Sequence, residues 1–442
     1  MGIFAHNLQK DIFSGTKPAA LIFILAFSLR LLFALFSPDA ALGGDAQLYE
    51  HFASSLAEGR GLVNQAGGPS AFYPPAYPLF LALLRVVFGK GYLYYKIAQG
   101  LVGAITCVLI YLMAKTLFNR PIGLIAGIIS SLYHFFIVSN MLMMSETLFT
   151  LFLTLTIWFW IRARNGQKSR DAILLGVCLS LGALTKAAFF YFFFLILAIE
   201  LIQAGRAQRF SPRFSKAILL YICSFALLIS VWVIRNYSLF GKCIYGSTQT
   251  GIVLYSAYHP KDEKIFGVNA DDKVFRQAAK INSEIESNEF LIAQTFKAVR
   301  NAPAKLYRYL LLKAMNFWSI FDWEILGEGR YNFSTAFILP FSFLGLLALR
   351  KGFWTGPFLI APLSYYFAIA LVVEGLPRFR LPVEPFLIIL ASYIIYNLTS
   401  KCGKPKSFSL LGAWLLLNLS LYFNSAAVKQ AAKTAMQHLG LW

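Results

Sequence analysis

The sequence predicts an all-α polytopic membrane protein, and three observations lead to that prediction. Of its 442 residues, 58% are hydrophobic and only 14% are charged, and the mean hydropathy is +0.62, which is too apolar for a soluble protein of two or three domains. Apolar runs of about 20 residues, the length that crosses a bilayer, recur along the chain. The excess of 40 Lys and Arg over 20 Asp and Glu lies between these runs, which disfavours a nucleic-acid-binding face.

The first apolar run, 18–37, is long enough to span the membrane although it contains Arg30. It exceeds the apolar core of a signal peptide, which has about 7 to 15 residues, and we interpret it as an anchor. Further runs follow, bounded by charged residues or by turns with Pro and Gly. They cover approximately 93–114, 121–138, 144–161, 172–203, 217–234, 332–349, 353–373, 383–398 and 408–424.

The run from Asp171 to Gly205 is too long for one span and contains Lys186 near its middle. The segments before and after it are both rich in Arg and Lys, and basic loops face the cytoplasm. Both flanks should therefore share a side, which predicts a helical hairpin with Lys186 at its outward turn. The alternative is one long tilted helix with a snorkelling lysine, which would leave one basic flank outside.

The apolar segment Tyr73–Phe88 is predicted to lie along the membrane surface, as an amphipathic helix opened by Pro74 and Pro75. If it crossed the membrane, every later loop would change sides. Without it, inward loops carry far more Lys and Arg than the short outward loops do, as the positive-inside rule requires. The resulting topology has eleven spanning helices, with the amino terminus inside and the carboxyl terminus outside.

This topology divides the chain into three parts. An amino-terminal transmembrane module covers 1–236 and includes an outward loop at 38–92, an outward helical loop covers 237–330, and a carboxyl-terminal transmembrane module covers 331–442. The loop 237–330 holds 10 of the 20 acidic residues, and its apolar spacing predicts helices over 271–286 and 288–300. The last residues of the chain read as an amphipathic helix on the outer surface.

Ionisable side chains at the membrane are candidates for function because they are costly to place there. A transporter is expected to place its binding groups near the midplane, between repeated halves. Here the ionisable groups lie at one outward depth, and the sequence has no internal repeat of 20 to 50 residues. The distribution therefore favours chemistry at the surface over transport. These rim residues are Asp45, Glu146, Lys186, Arg235, Glu374, Arg378 and Arg380.

Two carboxylates on this rim have both structural and chemical explanations. Asp45 follows Gly43-Gly44 and precedes a helix expected over 46–57, so it suits the N-cap position. An aspartate there could also accept a proton from a hydroxyl group, and the two interpretations are compatible. Glu146 opens the fourth predicted spanning helix from its outward end, where the helix dipole favours a negative charge.

The cations point to an anion on the outward side. Arg378 and Arg380 oppose the positive-inside tendency, and a bound phosphate would justify them. Arg235 lies between Trp232 and Tyr237 and fits interfacial anchoring equally well. Lys186, which is recessed and has no oppositely charged sequence neighbour, is the cation most readily assigned to a lipid phosphate. We expect Lys186, Arg378 and Arg380 to converge on one phosphate.

Six segments together form a recognisable pattern, in the order GGDAQLYEHFASSLAEGRG, YPPAYPLFLALLRVVFG, MSETLFTLFL, LGALTKAAF, WVIRNYSLFG and RFRLPVEPFLIILASY. Over about residues 20–400 the chain resembles the bacterial GT-C glycosyltransferases, a group that contains protein O-mannosyltransferases and the lipid A aminoarabinose transferase. The resemblance implies a GT-C-like bundle of about eleven transmembrane helices with outward juxtamembrane helices. It also implies a bacterial plasma (inner) membrane location, with the active site facing the periplasm or cell exterior.

The resemblance further implies transfer of one hexose or pentose from a polyprenyl phosphate carrier to a lipid glycan or protein acceptor, with inversion. By that likeness, Asp45 and Glu146 are the catalytic carboxylates and Lys186 binds the carrier phosphate. The predicted donor-phosphate site is completed by Arg235, Arg378 and Arg380. The predicted acceptor or sugar pocket consists of Tyr49, Tyr73 and Tyr77.

The chain departs from its relatives in ways that narrow the substrate. Tyr73-Pro74-Pro75 stands where the aminoarabinose transferases carry Lys-Pro-Pro, and Asp45-Ala46 stands where many relatives have Asp-Glu; both disfavour aminoarabinose. The Trp-Trp-Asp-type motif of oligosaccharyltransferases is absent, which disfavours block transfer to asparagine. The alternative functions are an O-antigen ligase or polymerase and a lipid-linked sugar transporter. No cofactor is predicted and a divalent metal is not supported, since no His, Cys or carboxylate cluster has ligand spacing.

Overall fold

The fold of this computed structural model is described for residues 16–38, 44–166, 168–206, 211–258, 272–322, 329–349, 355–401 and 404–438. Helices dominate this part of the chain. Those up to residue 240 are α1 (Thr16–Phe36), α2 (Asp45–Ala57), α3 (Ala76–Phe88), α4 (Tyr92–Leu117), α5 (Arg120–Leu132), α6 (His134–Ser139), α7 (Glu146–Gly166), α8 (Ser169–Ala183), α9 (Phe192–Arg206) and α10 (Pro212–Phe240). A 3₁₀ helix, Ala187–Tyr191, precedes α9.

The second half begins with four helices of the predicted outward loop and continues with apolar helices. They are α11 (Thr250–Tyr258), α12 (Lys273–Ala278), α13 (Glu284–Asn301), α14 (Pro303–Phe317), α15 (Phe333–Ala348), α16 (Gly356–Val372), α17 (Glu384–Lys401), α18 (Lys404–Phe423) and α19 (Ser425–His438). Two short antiparallel strands, β1 (Phe321–Asp322) and β2 (Arg330–Tyr331), follow α14, and a 3₁₀ helix, Pro377–Val383, joins α16 to α17.

The chain is an all-α multi-pass membrane protein, as predicted. Within the described ranges, six helical stretches are long and apolar enough to cross a membrane, and five shorter apolar helices accompany them. On α10, the side chains of Leu227, Val231 and Ile234 are about two-thirds exposed, and their spacing places them on one lipid-facing stripe. The total of eleven spans stays a prediction. The three-part domain division also stays a prediction.

The helix α3 is too short to cross the bilayer. Its 13 residues extend about 20 Å at 1.5 Å per residue, against a hydrocarbon core of about 30 Å. It starts directly after Pro75, as the sequence predicts, since Pro at a helix start loses no intrahelical hydrogen bond.

The long apolar run around Lys186 folds back on itself, as predicted. The Ser180 hydroxyl of α8 donates to the Phe225 carbonyl, and the Tyr221 hydroxyl donates to the Phe193 carbonyl of α9. Both contacts lie within about one turn of α10, although Ser180 precedes Lys186 and Phe193 follows it. The chain therefore reverses at the segment that carries Lys186.

The predicted run 121–138 is interrupted where the sequence gives no sign of a break. Tyr133 separates α5 from α6 in an extended conformation, and its buried hydroxyl donates to Glu384 Oε2 over 2.8 Å. The same hydroxyl lies 2.9 Å from Thr335 Oγ1. These contacts join the amino-terminal helices to α15 and α17, which a continuous helix would not achieve with this side chain.

In the predicted outward loop, the helices begin and end at other residues than the sequence predicts. A single helix was expected over 271–286, but α12 ends at Ala278 and α13 begins at Glu284. The new start at Glu284 has a local cause, because the Ser283 hydroxyl accepts from the Glu286 amide and satisfies a free donor at a helix start. The Asp272 carboxylate caps the start of α12 in the same way by accepting from the Val274 amide. The unpredicted α11 packs against α13 around a small core of Tyr255, Ala278 and Leu291.

The predicted outer-surface helix at the carboxyl end is present as α19. It follows α18 after a single turn residue, Asn424. Its position at the outer surface stays a prediction.

A buried arginine marks the packing of α1 against α4. Arg30 has no exposed surface, and its Nε donates to Asn140 Oδ1 over 2.7 Å while Nη1 donates to the Ala26 carbonyl. Gly103 makes room for it, since a Cβ there would lie 2.8 Å from Arg30 Nε and 2.3 Å from Asn140 Oδ1. The cation inside the predicted first span is thus accommodated by amide and carbonyl oxygens, which reduces the cost of its burial.

Candidate active site

Four of the predicted site residues meet at one end of the bundle. Asp45 opens α2, Glu146 opens α7, Lys186 lies in the turn after α8, and Arg378 lies in the 3₁₀ helix before α17. Each comes from a different part of the chain, and each stands at a helix end or turn, where a side chain can point along the bundle axis. We call this set the charged row.

Charges alternate along the charged row. Arg378 Nη1 lies 3.5 Å from Asp45 Oδ2, and Arg378 Nε lies 3.7 Å from Glu146 Oε1. Lys186 Nζ donates to the same Glu146 oxygen over 2.8 Å. The order is therefore carboxylate, cation, carboxylate, cation, and both cations share Glu146 as a counter-ion.

The two carboxylates differ sharply in accessibility. The Asp45 side chain is 32% exposed, whereas the Glu146 side chain is 5% exposed. An incoming molecule can reach the first and not the second without rearrangement. The exposed fractions of the two cations lie between these extremes. Both cations lie near the ring of Phe379, with its centre 5.3 Å from the Arg378 guanidinium and 5.9 Å from the Lys186 ammonium.

The N-cap interpretation of Asp45 is wrong. The cap position belongs to Gly44, whose φ of 53° turns the chain so that Asp45 becomes the first helical residue. Glycine has no side chain that could make a cap hydrogen bond, and the Asp45 carboxylate accepts from the Tyr73 hydroxyl, with 2.7 Å between Oη and Oδ1. Burial raises the pKa of the Tyr73 hydroxyl above its usual value, so that the hydroxyl stays protonated and donates to Asp45.

The three predicted pocket tyrosines do not line an open cavity. Tyr49, Tyr73 and Tyr77 are each at most 5% exposed. The rings of Tyr49 and Tyr73 stack with their centres 4.3 Å apart, and Tyr77 packs edge-on against Tyr49. Their aromatic area is buried in mutual contact, and they form a floor next to Asp45. Their contact with a sugar or an acceptor stays a prediction.

Two residues that sequence reasoning missed hold this floor. The Tyr49 hydroxyl donates to Ser145 Oγ, and the Tyr77 hydroxyl donates to Gln99 Oε1. The Gln99 amide in turn donates to the carbonyl of Leu142 over 2.8 Å. Nothing in the sequence spacing signals these partners, because each contact joins separate helices or loops.

Arg380 does not join Lys186 and Arg378, contrary to the prediction. It is fully buried, and its Nε donates to Glu384 Oε1 over 2.8 Å, while Nη1 bonds the Ser319 carbonyl. Residues two apart in a 3₁₀ helix, with three residues per turn, point in different directions. Arg378 consequently faces the charged row while Arg380 fixes the helix in the core.

Arg235 also contacts a different set of groups. Its Nη1 donates to the Ser70 carbonyl over 2.8 Å and Nη2 donates to the Leu62 carbonyl, while its guanidinium lies 5.0 Å from the Trp232 ring centre. These contacts tie α10 to the predicted outward loop 38–92. The predicted phosphate contact of Arg235 and its interfacial anchoring alternative both stay predictions.

The last of the rim carboxylates, Glu374, belongs to a neighbouring cluster. It accepts from the Ser256 hydroxyl of α11 over 2.6 Å, near the buried Lys313 of α14. Throughout the described ranges, no three His, Cys, Asp or Glu side chains are placed to hold a metal ion, and independence from metal stays a prediction.

Comparison with known proteins identifies the fold. The family model described as dolichyl-phosphate-mannose-protein mannosyltransferase matches residues 73–234, a range that contains Glu146 and Lys186. No curated protein sequence matches the chain significantly. The oligosaccharyltransferase AglB from Archaeoglobus fulgidus, in complex with an inhibitory peptide and a dolichol-phosphate, superposes with a TM-score of 0.55 at 13% identity, covering 93% of this chain. The chain has a GT-C-like fold.

Other solved structures agree with this GT-C likeness, which the sequence predicts. The apo form of the Archaeoglobus fulgidus oligosaccharyltransferase gives a TM-score of 0.55 at 13% identity and covers 92% of this chain. The GT-C-like chain spans about half the length of these archaeal proteins, 54% in each case. ArnT from Cupriavidus metallidurans bound to undecaprenyl phosphate gives only 0.39 at 11% identity, covering 87% of this chain and 77% of that one, which is too loose a superposition to bear on function.

Proposed function

We propose that the chain is a glycosyltransferase that moves one sugar from a polyprenyl phosphate-linked donor to a lipid glycan or protein acceptor at the outer face of the membrane. The observation that carries this proposal is the charged row, in which an accessible carboxylate stands beside two cations at one end of a membrane bundle. The match to a mannosyltransferase family model over residues 73–234 supports the same class of reaction.

The cations suit the phosphate of the donor. The Lys186 and Arg378 side chains are 26% and 16% exposed, so a phosphate oxygen can accept hydrogen bonds from both while Glu146 stays their counter-ion. Charge-assisted hydrogen bonds of this kind contribute about 1.5 to 3 kcal/mol each. In AglB the ligand present with the peptide is a dolichol-phosphate, which is the same chemical class as the lipid carrier of the donor proposed here.

Asp45 is the base in this proposal. An acceptor hydroxyl attacks the anomeric carbon from the face opposite the phosphate, the new C–O bond forms as the bond to the phosphate oxygen breaks, and that electron pair leaves with the polyprenyl phosphate. The hydroxyl proton passes to the Asp45 carboxylate. A single displacement of this kind inverts the anomeric centre, and the cations stabilise the charge that develops on the leaving phosphate.

Glu146 has a different part in the proposed reaction. Because its side chain is closed to incoming molecules and contacts both cations, it acts as the counter-ion that keeps them in place before the donor arrives. Buried charges without such partners are strongly destabilising. This assignment leaves Asp45 as the one accessible carboxylate of the charged row.

The proposal is tested by transfer in a defined membrane. The purified protein in lipid nanodiscs is incubated with polyprenyl phosphate sugars and candidate acceptors, and products are identified by mass spectrometry. We expect a mass increase of one sugar on the acceptor, free polyprenyl phosphate, and a co-purified donor in native mass spectra. Transfer of a whole glycan would indicate a ligase or polymerase. In sealed vesicles, movement of the donor across the bilayer without a new glycosidic bond would indicate a transporter, and either result overturns the proposal.

A further inference from the structure

A short segment of the predicted outward loop connects several parts of the site. We call residues 70–76 the strap. At its end the Ala76 amide donates to the Leu184 carbonyl over 2.9 Å, two residues before Lys186. At its beginning the Ala71 carbonyl accepts from the Thr248 amide over 3.0 Å. Tyr73, which donates to Asp45, stands between these two attachments.

Glu284 fixes the beginning of the strap. Its Oε1 accepts from the Ala71 amide over 2.9 Å and from the Thr248 hydroxyl, and its Oε2 accepts from the Ser70 hydroxyl over 2.7 Å. Both carboxylate oxygens are therefore used, and three different donors depend on one side chain. The carboxylate also lies in the first turn of α13, where the helix dipole favours negative charge.

The Glu284 contacts cross between two parts of the chain that are far apart in sequence. The Ser70 hydroxyl that bonds Glu284 also accepts from the Phe72 amide over 3.1 Å, which sets the direction of the backbone just before Tyr73. On the other side, Glu284 begins the helix α13 that packs against α11. Displacement of α13 would therefore change the backbone from which Tyr73 reaches Asp45.

We propose that Glu284 is a positioning residue for Asp45, acting through the strap and the Tyr73 hydroxyl, and that it couples the helical segment α11–α13 to the active centre. This inference rests on the proposed function, because it assigns Asp45 as the base. Within the described ranges, the hydrogen bonds of the Glu284 carboxylate go to Ser70, Ala71 and Thr248 and not to the charged row. Its removal is therefore expected to affect the alignment of the base more than the binding of the donor phosphate.

The test compares Glu284→Gln with Glu289→Gln. Both change a glutamate to glutamine in the same helix, but Glu289 forms an exposed ion pair with Lys242, so it is a matched control. A glutamine can accept with only one oxygen, so at least one of the three donors loses its acceptor. We expect Glu284→Gln to lower kcat about tenfold or more while donor KM changes less than about twofold, and Glu289→Gln to change neither.

A double-variant cycle tests whether the effect passes through Tyr73. If Glu284 acts through the Tyr73 hydroxyl, adding Glu284→Gln to Tyr73→Phe should lower kcat no further than Tyr73→Phe alone, because variants on one path are not additive. Multiplied losses in the double variant would overturn the inference. Ser70→Ala removes the Oε2 contact and the acceptor of the Phe72 amide while it keeps the Glu284 carboxylate. It should also lower kcat, and it serves as the second variant if Glu284→Gln folds poorly.

Hydrogen–deuterium exchange provides a readout that does not depend on activity. Peptides covering the strap should exchange faster in Glu284→Gln than in Glu289→Gln, because the glutamine NH2 group cannot accept and the attachment of the strap to residue 284 is weakened. Unchanged exchange would overturn the inference even if the wild-type protein transfers sugar. Absence of transfer by the wild-type protein would instead overturn the proposed function, so the two failures are distinguishable.

Discussion

Asp45 combines an accessible carboxylate with a fixed orientation, which makes a conservative substitution informative. Since Gly44 and not Asp45 caps α2, Asp45→Asn removes no cap hydrogen bond and should leave the fold intact. Asparagine cannot take the acceptor proton, so we expect turnover to fall by about 10² to 10⁴. Steady-state transfer rates, together with donor binding, measure this effect.

Donor binding serves as the control for Asp45→Asn, since the phosphate cations are unchanged. A variant that binds donor normally but transfers slowly supports Asp45 as the base. Near-normal transfer would show that Asp45 has only a structural part in holding Tyr73 and Arg378.

Arg378 and Arg380 give a second prediction at the same scale. Arg378→Gln should weaken donor affinity by about 10- to 100-fold, as expected for losing a charge-assisted hydrogen bond, with little change in thermal stability. Arg380→Gln should do the reverse, because it leaves the fully buried Glu384 without its cation, a loss of about 3 to 5 kcal/mol. Donor titrations and thermal unfolding of both detergent-solubilised variants distinguish these outcomes.

Equal loss of donor affinity in the two variants would contradict the division of roles between Arg378 and Arg380. It would indicate that both guanidinium groups reach the phosphate, as the sequence alone predicts.

Sequence reasoning could find the charged residues of the site, but it could not find the direction in which each side chain points. Charge at an outward rim is costly, so Asp45, Glu146, Lys186 and Arg378 could be singled out without a structure, and the structure brings them together. Arg380 is also an arginine and lies only two residues from Arg378. The direction of its side chain depends on the Glu384 carboxylate and on the carbonyl of the distant Ser319. No local pattern carries that information.

Elements follow the sequence where their causes are local. The reversal at Lys186 was predictable because two basic flanks must share a side of the membrane. The break at Tyr133 was not, because it depends on Glu384 and Thr335, some 200 or more positions further along the chain. The start of α13 at Glu284 was misplaced because Ser283 looked like any polar residue within a helical pattern.

The junction of α14 with the end of α16 contains a buried lysine. Lys313 Nζ lies 3.3 Å from the carbonyl oxygens of Leu371 and Val372, and 3.6 Å from the ring centre of Tyr258. Burial lowers the pKa of Lys313 from 10.5 to about 7, partly opposed by the charge of Glu374. The packing of this junction should therefore depend on pH.

The sign of this dependence follows from proton binding. Between pH 7 and 10.5, the ordinary pKa of lysine, the unfolded chain holds a proton at Lys313 that the folded chain lacks. The free energy of unfolding should therefore rise with pH across this window, and it should be lowest at and below pH 7. We expect the wild-type Tm to increase more than that of Lys313→Met between pH 7.5 and 9.5.

Lys313→Met is the internal control for this measurement, since every other titrating group is present in both proteins. Thermal unfolding in detergent at several pH values gives the two slopes. Parallel slopes would mean that Lys313 keeps the same protonation in the folded and unfolded chains.

For the whole molecule, the predicted orientation across the membrane can be checked by labelling. In a cysteine-free background, needed because Cys223 and Cys243 are exposed, single cysteines replace Tyr191, Lys168 and Arg213. The first lies beside the Lys186 turn and the other two lie in the basic flanks. An impermeant maleimide added to intact cells should label the first site and spare the other two.

Permeabilised cells provide the control, because all three sites should then react. Labelling of Lys168→Cys or Arg213→Cys in intact cells would reverse the predicted orientation. It would also place the charged row on the cytoplasmic side, where a polyprenyl-linked donor is not required.

The alternation of the charged row has a consequence for the total charge of the reacting assembly. Two cations and two carboxylates sum to zero, and a phosphodiester donor adds one negative charge. When the sugar leaves, the phosphate becomes a monoester and gains up to one further negative charge, while Asp45 loses one by taking the acceptor proton. Net charge at the membrane surface therefore stays nearly constant during the proposed step. Proton and carrier must then both depart to reset the site, so turnover is tied to proton release.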